Sequence, residues 1–456
     1  MELEKKLVEY VLDTNFEDFP KQPVDIGKNL VLTTLGTTIA GATAEGCETL
    51  VNQAKEWGGK EEATILIYGS RVPAHNAAFV NSVMARALDF CDGVIPGMHV
   101  AASAVPTALA AAELAGGCSG KEFLTAIVLG AEVANRLNSS SLQPDYDGFD
   151  PTGVCTIFAT TAIAGRILHL NPKQMWDALA LAFNKAGGSF QSNVDGSLAV
   201  RVIQGFVSQG GIICAQLAQR GITGPKNFLE GIYGYFHLYT KDKYDPKVLV
   251  GDWGKRFDLT KIIFKKYPSC GVTTGSTDAI LDLVREKGIA AEDVARVDVR
   301  VTPHCYNLAG HPFEIGDNPK VNAQFNIQYC VANALLRKSS RLEHFDEPYI
   351  REPKIMELIK KIQVIAAPQP GHLTTDISVT TRDGSVYHKN VAIPSGLPGN
   401  PLTNEEHNEH FRDCISYAKM PLPQGNIDKI RSLVDRVEEL EDVCSLIPLL
   451  ISQGLK

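Results

Sequence analysis

No stretch of this 456-residue sequence has the length and hydrophobicity of a membrane-spanning helix. The longest run of small apolar residues, VAASAVPTALAAAELAGG, contains a proline and a glutamate and predicts a buried core helix. The N-terminal stretch MELEKKLVEYVLDTNFEDF alternates charged with apolar residues and lacks the continuous apolar segment of a secretory signal. These absences predict a cytoplasmic protein that does not enter a membrane.

Paired metal ligands and nucleotide-binding glycine motifs are also missing. The ten cysteines and eleven histidines show neither CxxC nor HxxxH spacing, which argues against a zinc site or a disulfide framework and predicts reduced thiols. Neither a GxGxxG fingerprint nor a GxxxxGKS or GxxxxGKT loop occurs. We therefore expect catalysis without a metal or a nucleotide cofactor.

Positive charge is in deficit. The chain has 44 Lys and Arg against 52 Asp and Glu, a formal net charge of −8, whereas a broad nucleic-acid surface needs an excess of basic residues. An anionic partner must therefore meet a local cationic pocket, and we expect no nucleic-acid partner. The composition, 44% hydrophobic and 21% charged, is that of a compact folded protein, and the length predicts two or three domains.

Helical periodicity dominates the chain up to about residue 260. In NAAFVNSVMARALDF the apolar residues recur every three or four positions and line one helical face. GKEFLTAIVLGAEVANRL and GFVSQGGIICAQLAQRG are rich in alanine and glycine, which favours close packing between helices. We predict a helical domain over residues 1–262 that is completed by residues 403–456, where helical patterns return.

The pattern changes after Asp258. The stretch ARVDVRVTP alternates and predicts a strand, and HLTTDISVTTRDGSVYHKNVAIP predicts two strands joined by a turn at Asp383 and Gly384. Helical stretches, NIQYCVANALL and PKIMELIKKI, lie between them. We therefore predict an α+β lid domain over residues 263–402. The predicted fold class is mainly α with an α+β lid.

Polar side chains concentrate in the loop ALDFCDGVIPGMHVAAS, between two segments that are predicted to be buried. It contains Asp89, Asp92 and His99. His99 precedes the helix expected from about Val100, where unpaired N–H groups favour a neutral imidazole and attract an anionic group. A neutral imidazole exchanges protons near neutral pH. The alternative for His99 is a structural role, with its ring hydrogen-bonded to the Asp89 loop.

Motifs along nearly the whole chain resemble one enzyme family. ALDFCDG, FDPTG, FKKYPSCG, the strand before Tyr306 and LPGNPLTNEEH occur in the order found in the MmgE/PrpD family. That family includes 2-methylcitrate dehydratase, cis-aconitate decarboxylase and iminodisuccinate epimerase. The resemblance implies a homodimer with a large helical domain and a smaller lid. It also implies cofactor-independent proton transfer beside a carboxylate of a small polycarboxylate substrate.

The resemblance assigns four catalytic residues. His99, Asp89, Lys265 and Tyr306 fall on active-site positions of the family, and it implies that His99 and Tyr306 exchange protons with the substrate. Residue type alone also admits structural explanations. Asp89 is then a helix cap, Lys265 a solvated surface lysine and Tyr306 an aromatic residue at a domain edge.

Four further residues are candidates for substrate binding. Lys266 offers a second ammonium group, and Arg201 offers a guanidinium that binds a carboxylate bidentately. Asp92 either contacts substrate or only shapes its loop. Cys270 serves as an acid or base only if Lys265 or Lys266 lowers its pKa, and is otherwise an inert thiol.

The chain departs from the family pattern at four positions. Gly93 replaces a threonine and Asp150 a histidine of lyase members, while Val200 and Cys270 replace a lysine and a histidine of the decarboxylase branch. These differences disfavour cis-aconitate decarboxylation and weaken the case for methylcitrate dehydration. We predict a lyase of the dehydratase or hydratase type. The alternatives are an epimerase or isomerase of a succinate-like dicarboxylate, and a catalytically silent ligand-binding homologue.

Overall fold

The chain forms two compact units in the computed structural model, which describes residues 1–142 and 146–453. The first unit comprises Met1–Ile262 and the chain from Cys414 onwards, and the second comprises Ile263–Asp413. The second unit runs past the expected boundary at residue 402, and its last residue is tied to its interior: Asp413 Oδ2 accepts the backbone N–H of Leu342 at 3.0 Å.

Helices make up most of the first unit and part of the second. In chain order the described helices are α1 (Glu2–Asp13), α2 (Lys21–Gly41), α3 (Cys47–Trp57), α4 (Ala74–Arg86), α5 (Ala101–Ala115), α6 (Gly120–Ser140), α7 (Ile157–Ile167), α8 (Pro172–Lys185), α9 (Gln191–Val194), α10 (Ala199–Gln219), α11 (Tyr235–Thr240), α12 (Pro246–Val250), α13 (Thr274–Lys287), α14 (Pro303–Ala309), α15 (Pro319–Gln324), α16 (Ile327–Arg337), α17 (Glu347–Ile350), α18 (Pro353–Ile359), α19 (Asn404–Tyr417) and α20 (Gln424–Asp435). The chain returns from the second unit to the first within α19.

Close helix packing in the first unit depends on glycine. Helix α10 packs against α4, α7 and α8. A Cβ atom on Gly205 would lie 2.6 Å from the ring of Phe79, and one on Gly211 would lie 2.5 Å from Thr160 Oγ1. Larger residues at these positions would push the helices apart. The glycine residues of α10 therefore allow the close helix packing that the composition of this stretch predicts.

Helix α5 is formed by the long run of small apolar residues and is buried from Ala101 to Ala112. A short antiparallel pair, β1 (Ala63–Thr64) and β2 (Arg71–Val72), lies in the same unit. None of the described helices combines the length and apolar character that crossing a bilayer requires.

The second unit is built on a four-stranded sheet. Its strands are β3 (Val294–Val301), β4 (Ile362–Ala366), β5 (Thr375–Thr381) and β6 (Val386–Val391), in the spatial order β4-β3-β5-β6. β3 runs parallel to β4 and antiparallel to β5, and β5 pairs antiparallel with β6. Val297 and Val299 of β3 and Ile377 of β5 are fully buried in one apolar core with residues of α13 and α16. The predicted fold class, mainly α with an α+β unit, is confirmed.

One local feature differs from the sequence expectation. Ile362–Ala366 forms strand β4, which was not predicted, because its short apolar run is completed by pairing with the distant β3. Tyr306 lies within helix α14 just after β3. The turn predicted at Asp383 and Gly384 is present between β5 and β6, where Gly384 has a φ of 86°, a conformation that glycine adopts without strain.

Candidate active site

The loop between α4 and α5 is organised around Asp92. Its side chain is fully buried, and Oδ2 accepts the backbone N–H groups of Val100 at 2.9 Å and Ala101 at 3.1 Å. The carboxylate therefore caps the first turn of α5. Burial raises the pKa of Asp92, and the two N–H groups act in the opposite direction. Asp92, a predicted substrate-binding residue, thus has a structural task in this loop.

His99 is held through both its backbone and its ring. Its N–H donates to Thr152 Oγ1 at 3.2 Å, and its carbonyl oxygen accepts from Thr156 Oγ1 at 3.2 Å. These threonines are the two ends of a π-helical turn, Thr152–Thr156, that leads into α7. The ring Nδ1 lies 2.5 Å from the carbonyl oxygen of Asp92. Single π-helical turns frequently occur at functional sites, and this one fixes the position of an imidazole.

Arg86, the last residue of α4, determines which ring nitrogen of His99 carries the proton. Arg86 Nη2 lies 3.2 Å from His99 Nε2. A guanidinium only donates hydrogen bonds, so Nε2 must accept with its lone pair. The proton of the neutral ring is then on Nδ1, where it is donated to the carbonyl oxygen of Asp92. This assignment gives a neutral imidazole in which Nε2 carries the lone pair.

Asp89 supplies the counter-charge of Arg86. Arg86 Nη1 and Asp89 Oδ1 form an ion pair with i, i+3 spacing. Burial opposes the charge on Arg86, but the charges of Asp89 and neighbouring groups raise its pKa. Arg86 is therefore a fixed positive charge beside His99. Sequence reasoning missed Arg86, although its spacing of three from Asp89 is a usable signal.

A second guanidinium, that of Arg201, belongs to the same electrostatic cluster. Arg201 lies in the first turn of α10, and its Nη1 donates to the backbone carbonyl of Glu45 at 3.1 Å. Burial lowers the pKa of Arg201, the charge of Arg86 lowers it further, and Asp89 acts in the opposite direction. The charges of the two guanidinium groups thus oppose each other, and the charge of Asp89 favours both.

Asp150 lies two residues before Thr152, where the π-helical turn that holds His99 begins. Its side chain is only 5% exposed, and its Oδ1 accepts the backbone N–H of Thr152 at 2.8 Å. Burial raises the pKa of Asp150, whereas the hydrogen bond from Thr152 and the charge of Arg86 lower it. The residue that replaces a family histidine is therefore a buried carboxyl within the electrostatic reach of Arg86.

Cys91, Asp92 and His99 each bring one potential metal ligand within 4.8 Å of the others. The chemistry of the surrounding donors does not fit a cation well. His99 Nδ1 donates to the carbonyl oxygen of Asp92, and His99 Nε2 accepts a hydrogen bond from Arg86 Nη2. The fixed positive charge of Arg86 next to the ring also repels a metal ion. The arrangement favours an anionic ligand here.

In the second unit, Lys266 is paired within its own unit. Its Nζ lies 2.8 Å from Glu406 Oε1 and 3.7 Å from Asp278 Oδ1. It also donates to Ser395 Oγ at 3.4 Å. These contacts neutralise Lys266, predicted as a substrate-binding residue, and give its ammonium a structural task. Its neighbour Lys265 is partly buried.

Tyr306 and Cys270 pack against the same core of the second unit, and both are partly buried. The ring of Tyr306 lies 5.2 Å from that of His311 in an edge-to-face arrangement. Cys270 donates its backbone N–H to the carbonyl oxygen of Gln324 at 2.9 Å. The helix of Tyr306, α14, also packs against the 3₁₀ turn that directly follows Cys270. The second unit thus brings these two predicted residues into one region.

The first unit assembles four of the residues predicted from the sequence, Asp89, Asp92, His99 and Arg201, around the unpredicted Arg86. An imidazole in contact with one guanidinium group, with a second guanidinium acting electrostatically on the first, is an arrangement suited to an enzyme that acts on anions.

Comparison with known proteins identifies the family. The model of the MmgE/PrpD N-terminal domain matches residues 5–247, and that of the MmgE/PrpD C-terminal domain matches residues 267–436. The chain belongs to the MmgE/PrpD family. The family predicted from the sequence motifs is confirmed, and with it the prediction of an enzyme of the lyase type.

Several curated relatives extend over nearly the whole chain. Cis-aconitate decarboxylase of Homo sapiens is 27% identical over 93% of this chain and 89% of its own length. Cis-aconitate decarboxylase-like protein oryM of Aspergillus oryzae is 24% identical over 98% of this chain and 96% of its own length. Cis-aconitate decarboxylase of Aspergillus terreus is 24% identical over 95% and 93%, respectively.

Proposed function

We propose that this chain is a cofactor-independent lyase of the dehydratase or hydratase type, which transfers a proton at the carbon α to a carboxylate of a small di- or tricarboxylate. The observation that carries the proposal is the neutral His99 ring with Nε2 directed at Arg86 and Nδ1 hydrogen-bonded to a backbone carbonyl. The names of the relatives, cis-aconitate decarboxylases, support a lyase that acts on a tricarboxylate.

The first unit offers the groups that such a proton transfer requires. Removing a proton beside a carboxylate places negative charge on that carboxylate as the C–H bond breaks. Arg86 and Arg201 are suited to stabilising that charge, because fixed cations in a buried site need no reorganisation. His99 Nε2 accepts the proton in one direction and returns it in the other.

Asp150 supports elimination or addition of water. Loss of hydroxide needs an acid at the leaving oxygen, and burial raises the pKa of Asp150, which favours the protonated carboxyl. Gly93, which replaces a family threonine, leaves space beside the His99 ring. A Cβ atom at this position would lie 3.9 Å from His99 Cε1. We propose that Asp150 supplies the acid and that the space at Gly93 accommodates part of the substrate.

Lys265 and Tyr306 of the second unit are proposed to act on the same substrate as His99, with Lys265 binding a carboxylate and Tyr306 exchanging a proton. Kinetic coupling tests this. If the groups serve one reaction, the double variant Tyr306→Phe/His99→Gln should lose much less than the product of the two single losses. Losses that multiply would contradict a shared reaction.

The test of the function is proton NMR in deuterium oxide, with and without EDTA, on cis-aconitate, citrate and derivatives of malate and succinate. We expect addition or loss of water with deuterium entering the α-carbon, unaffected by EDTA. Loss of carbon dioxide from cis-aconitate would instead identify a decarboxylase. Exchange without net reaction would identify an epimerase or isomerase, and binding without exchange a silent homologue. Activity lost to EDTA and restored by a divalent ion would overturn the cofactor-independent mechanism.

A further inference from the structure

We infer that Arg86 and Arg201 form a carboxylate subsite, and that a carboxylate bound there takes Arg86 away from His99 and so exposes the base. This inference rests on the proposed function, because it names the place where that function's substrate is held. It concerns a residue, Arg86, that no sequence motif marked.

One of the three side-chain nitrogens of Arg86 lacks a hydrogen-bond acceptor within the described residues. Nη1 binds Asp89 and Nη2 binds His99 Nε2. The third nitrogen, Nε, is buried and has no hydrogen-bond partner among residues 1–142 and 146–453. A buried guanidinium N–H without an acceptor is costly, and Arg86 is only 7% exposed. An acceptor from outside the chain, such as a carboxylate oxygen, would satisfy it.

Charge balance points to the same ligand. Asp89 is the carboxylate that attracts both Arg86 and Arg201, while those two guanidinium groups repel each other. The exposed Glu45 and the buried Cys47 also act on Arg201. Asp92 also acts on Arg86, but its Oδ2 atom is occupied with the start of α5. A ligand carboxylate that accepts the buried Nε–H of Arg86 would add the negative charge that offsets this repulsion.

Ligand binding and exposure of the base are linked by one bond. Arg86 Nη2 lies 3.2 Å from His99 Nε2, which is the nitrogen that must take the substrate's proton. In the inferred bound state the carboxylate accepts the Nε–H and Nη2–H groups and turns the guanidinium away from the ring, so that the Nε2 lone pair becomes available. The proton on Nδ1 remains with the carbonyl oxygen of Asp92. A molecule without a carboxylate would leave the base covered.

Tricarballylate, which has three carboxylates and no hydroxyl to eliminate, is a suitable probe for the full chain. Calorimetric titration should show binding weakened about tenfold or more in Arg86→Gln and Arg201→Gln. Arg86→Lys should give an intermediate loss, because lysine keeps the charge but not the planar fork. Nitrogen NMR of labelled histidine should show a change at His99 Nε2 when the probe binds to the wild-type protein.

Arg166→Gln is the matched control. Arg166 is 8% exposed and, like Arg86, binds a carboxylate, with its Nε 2.8 Å from Glu122 Oε1. Its loss should leave probe affinity unchanged. Circular dichroism of each variant reports folding. If Arg86→Gln does not fold, Arg86→Lys and Arg201→Gln decide, because the subsite requires both arginines.

Failure of the subsite and failure of the function give different results. The subsite is wrong if the wild-type protein does not bind tricarballylate at millimolar concentration, if the Arg86 and Arg201 variants bind as the wild type does, or if the His99 signal does not respond. Unchanged KM in those variants of an active enzyme would also refute it. If the probe binds as expected but no substrate is turned over, the proposed function fails and the subsite stands.

Discussion

His99 is the side chain through which the proposed proton transfer runs. We predict that His99→Gln lowers kcat by roughly 10²-fold or more, the usual contribution of a general base. The control is His237→Gln, because His237 is exposed and pairs with a residue five positions away, with its Nδ1 2.9 Å from Asp242 Oδ2. Steady-state kinetics on the substrate found in the deuterium experiment measures both. A loss below threefold in His99→Gln would remove this residue from the chemistry.

Asp150 is predicted to protonate the departing hydroxide and to take no part in removing the α-proton. Asp150→Asn should lower hydration or dehydration by roughly 10²-fold while leaving deuterium exchange at the α-carbon within a few-fold of wild type. Burial raises the pKa of Asp150, so the acid form is lost only as the pH rises through that raised pKa. The wild-type rate should therefore fall at high pH, and this limb should be absent in the variant.

Asp177→Asn provides the comparison for Asp150→Asn. Asp177 is similarly buried, 7% exposed, and is bonded to Lys173 at 2.7 Å. Its replacement should preserve the rate and its pH dependence. Equal loss of exchange and of hydration in Asp150→Asn would show that Asp150 acts on the first step or on folding.

At the scale of elements, the sequence predicted the helices around the site but not the contacts that make it. Helices α4 and α5 follow from local periodicity, and Asp89, Asp92 and His99 stand out between them. The contact of Arg86 with His99 depends on the path of the loop, in which Asp89 has a φ of 52°. Local sequence patterns do not specify that conformation for an aspartate.

Local sequence patterns also did not predict the π-helical turn that holds His99. The carbonyl oxygen of Gly187 packs so closely against this turn that a Cβ atom on Gly153 would lie 1.8 Å from it. The partner comes from a distant loop, so the periodicity around Gly153 predicts an ordinary helix. Strand β4 was missed for the same reason, because its partner β3 lies more than sixty residues earlier.

Helix α19 gives the second unit a predicted sensitivity to acid. His407 is 4% exposed, its ring lies 4.7 Å from that of Phe264, and burial lowers its pKa to about 4, against about 6.5 in an unfolded chain. The unfolded state therefore binds the proton first. The stability that follows is complete above about pH 6.5 and is lost as the pH falls towards 4, by roughly 3 kcal/mol at most.

His407→Phe tests this dependence, because phenylalanine keeps an aromatic ring against Phe264 and binds no proton. Between pH 7 and pH 5, the variant should lose less thermal stability than the wild type in the transition of the second unit. His344 and Asp413 also have shifted pKa values, but they are unchanged between the two proteins. Melting temperatures that fall in parallel would contradict the assignment to His407.

At the scale of the whole molecule, family membership was predictable because its motifs are spread in order over both units. The reaction was less predictable, because the departures at Gly93, Asp150 and Val200 change the groups near the site without indicating which step they serve. The overall charge of −8 likewise required a local cationic pocket, but it did not identify Arg86 as a member. That residue becomes evident only when its neighbours are known in space.

The resemblance also predicts the state of assembly. We expect a homodimer, and light scattering on the full chain at micromolar concentration should give twice the monomer mass. Large apolar side chains that remain exposed on the first unit, such as Trp57 and Phe206, agree with a covered surface in an assembly. A monomer mass that does not change with concentration would contradict the expectation.

Asp92 connects two properties that experiments usually treat as independent. Its carboxylate caps α5, and its backbone carbonyl oxygen accepts a hydrogen bond from His99 Nδ1. Replacements of Asp92 should therefore lower melting temperature and turnover together, so that a series of them traces a single correlation between the two. His99→Gln and Arg86→Lys should fall below that line, because they lose more turnover than their change in melting temperature explains. The distance of a variant from the line therefore distinguishes a catalytic effect from an effect on stability.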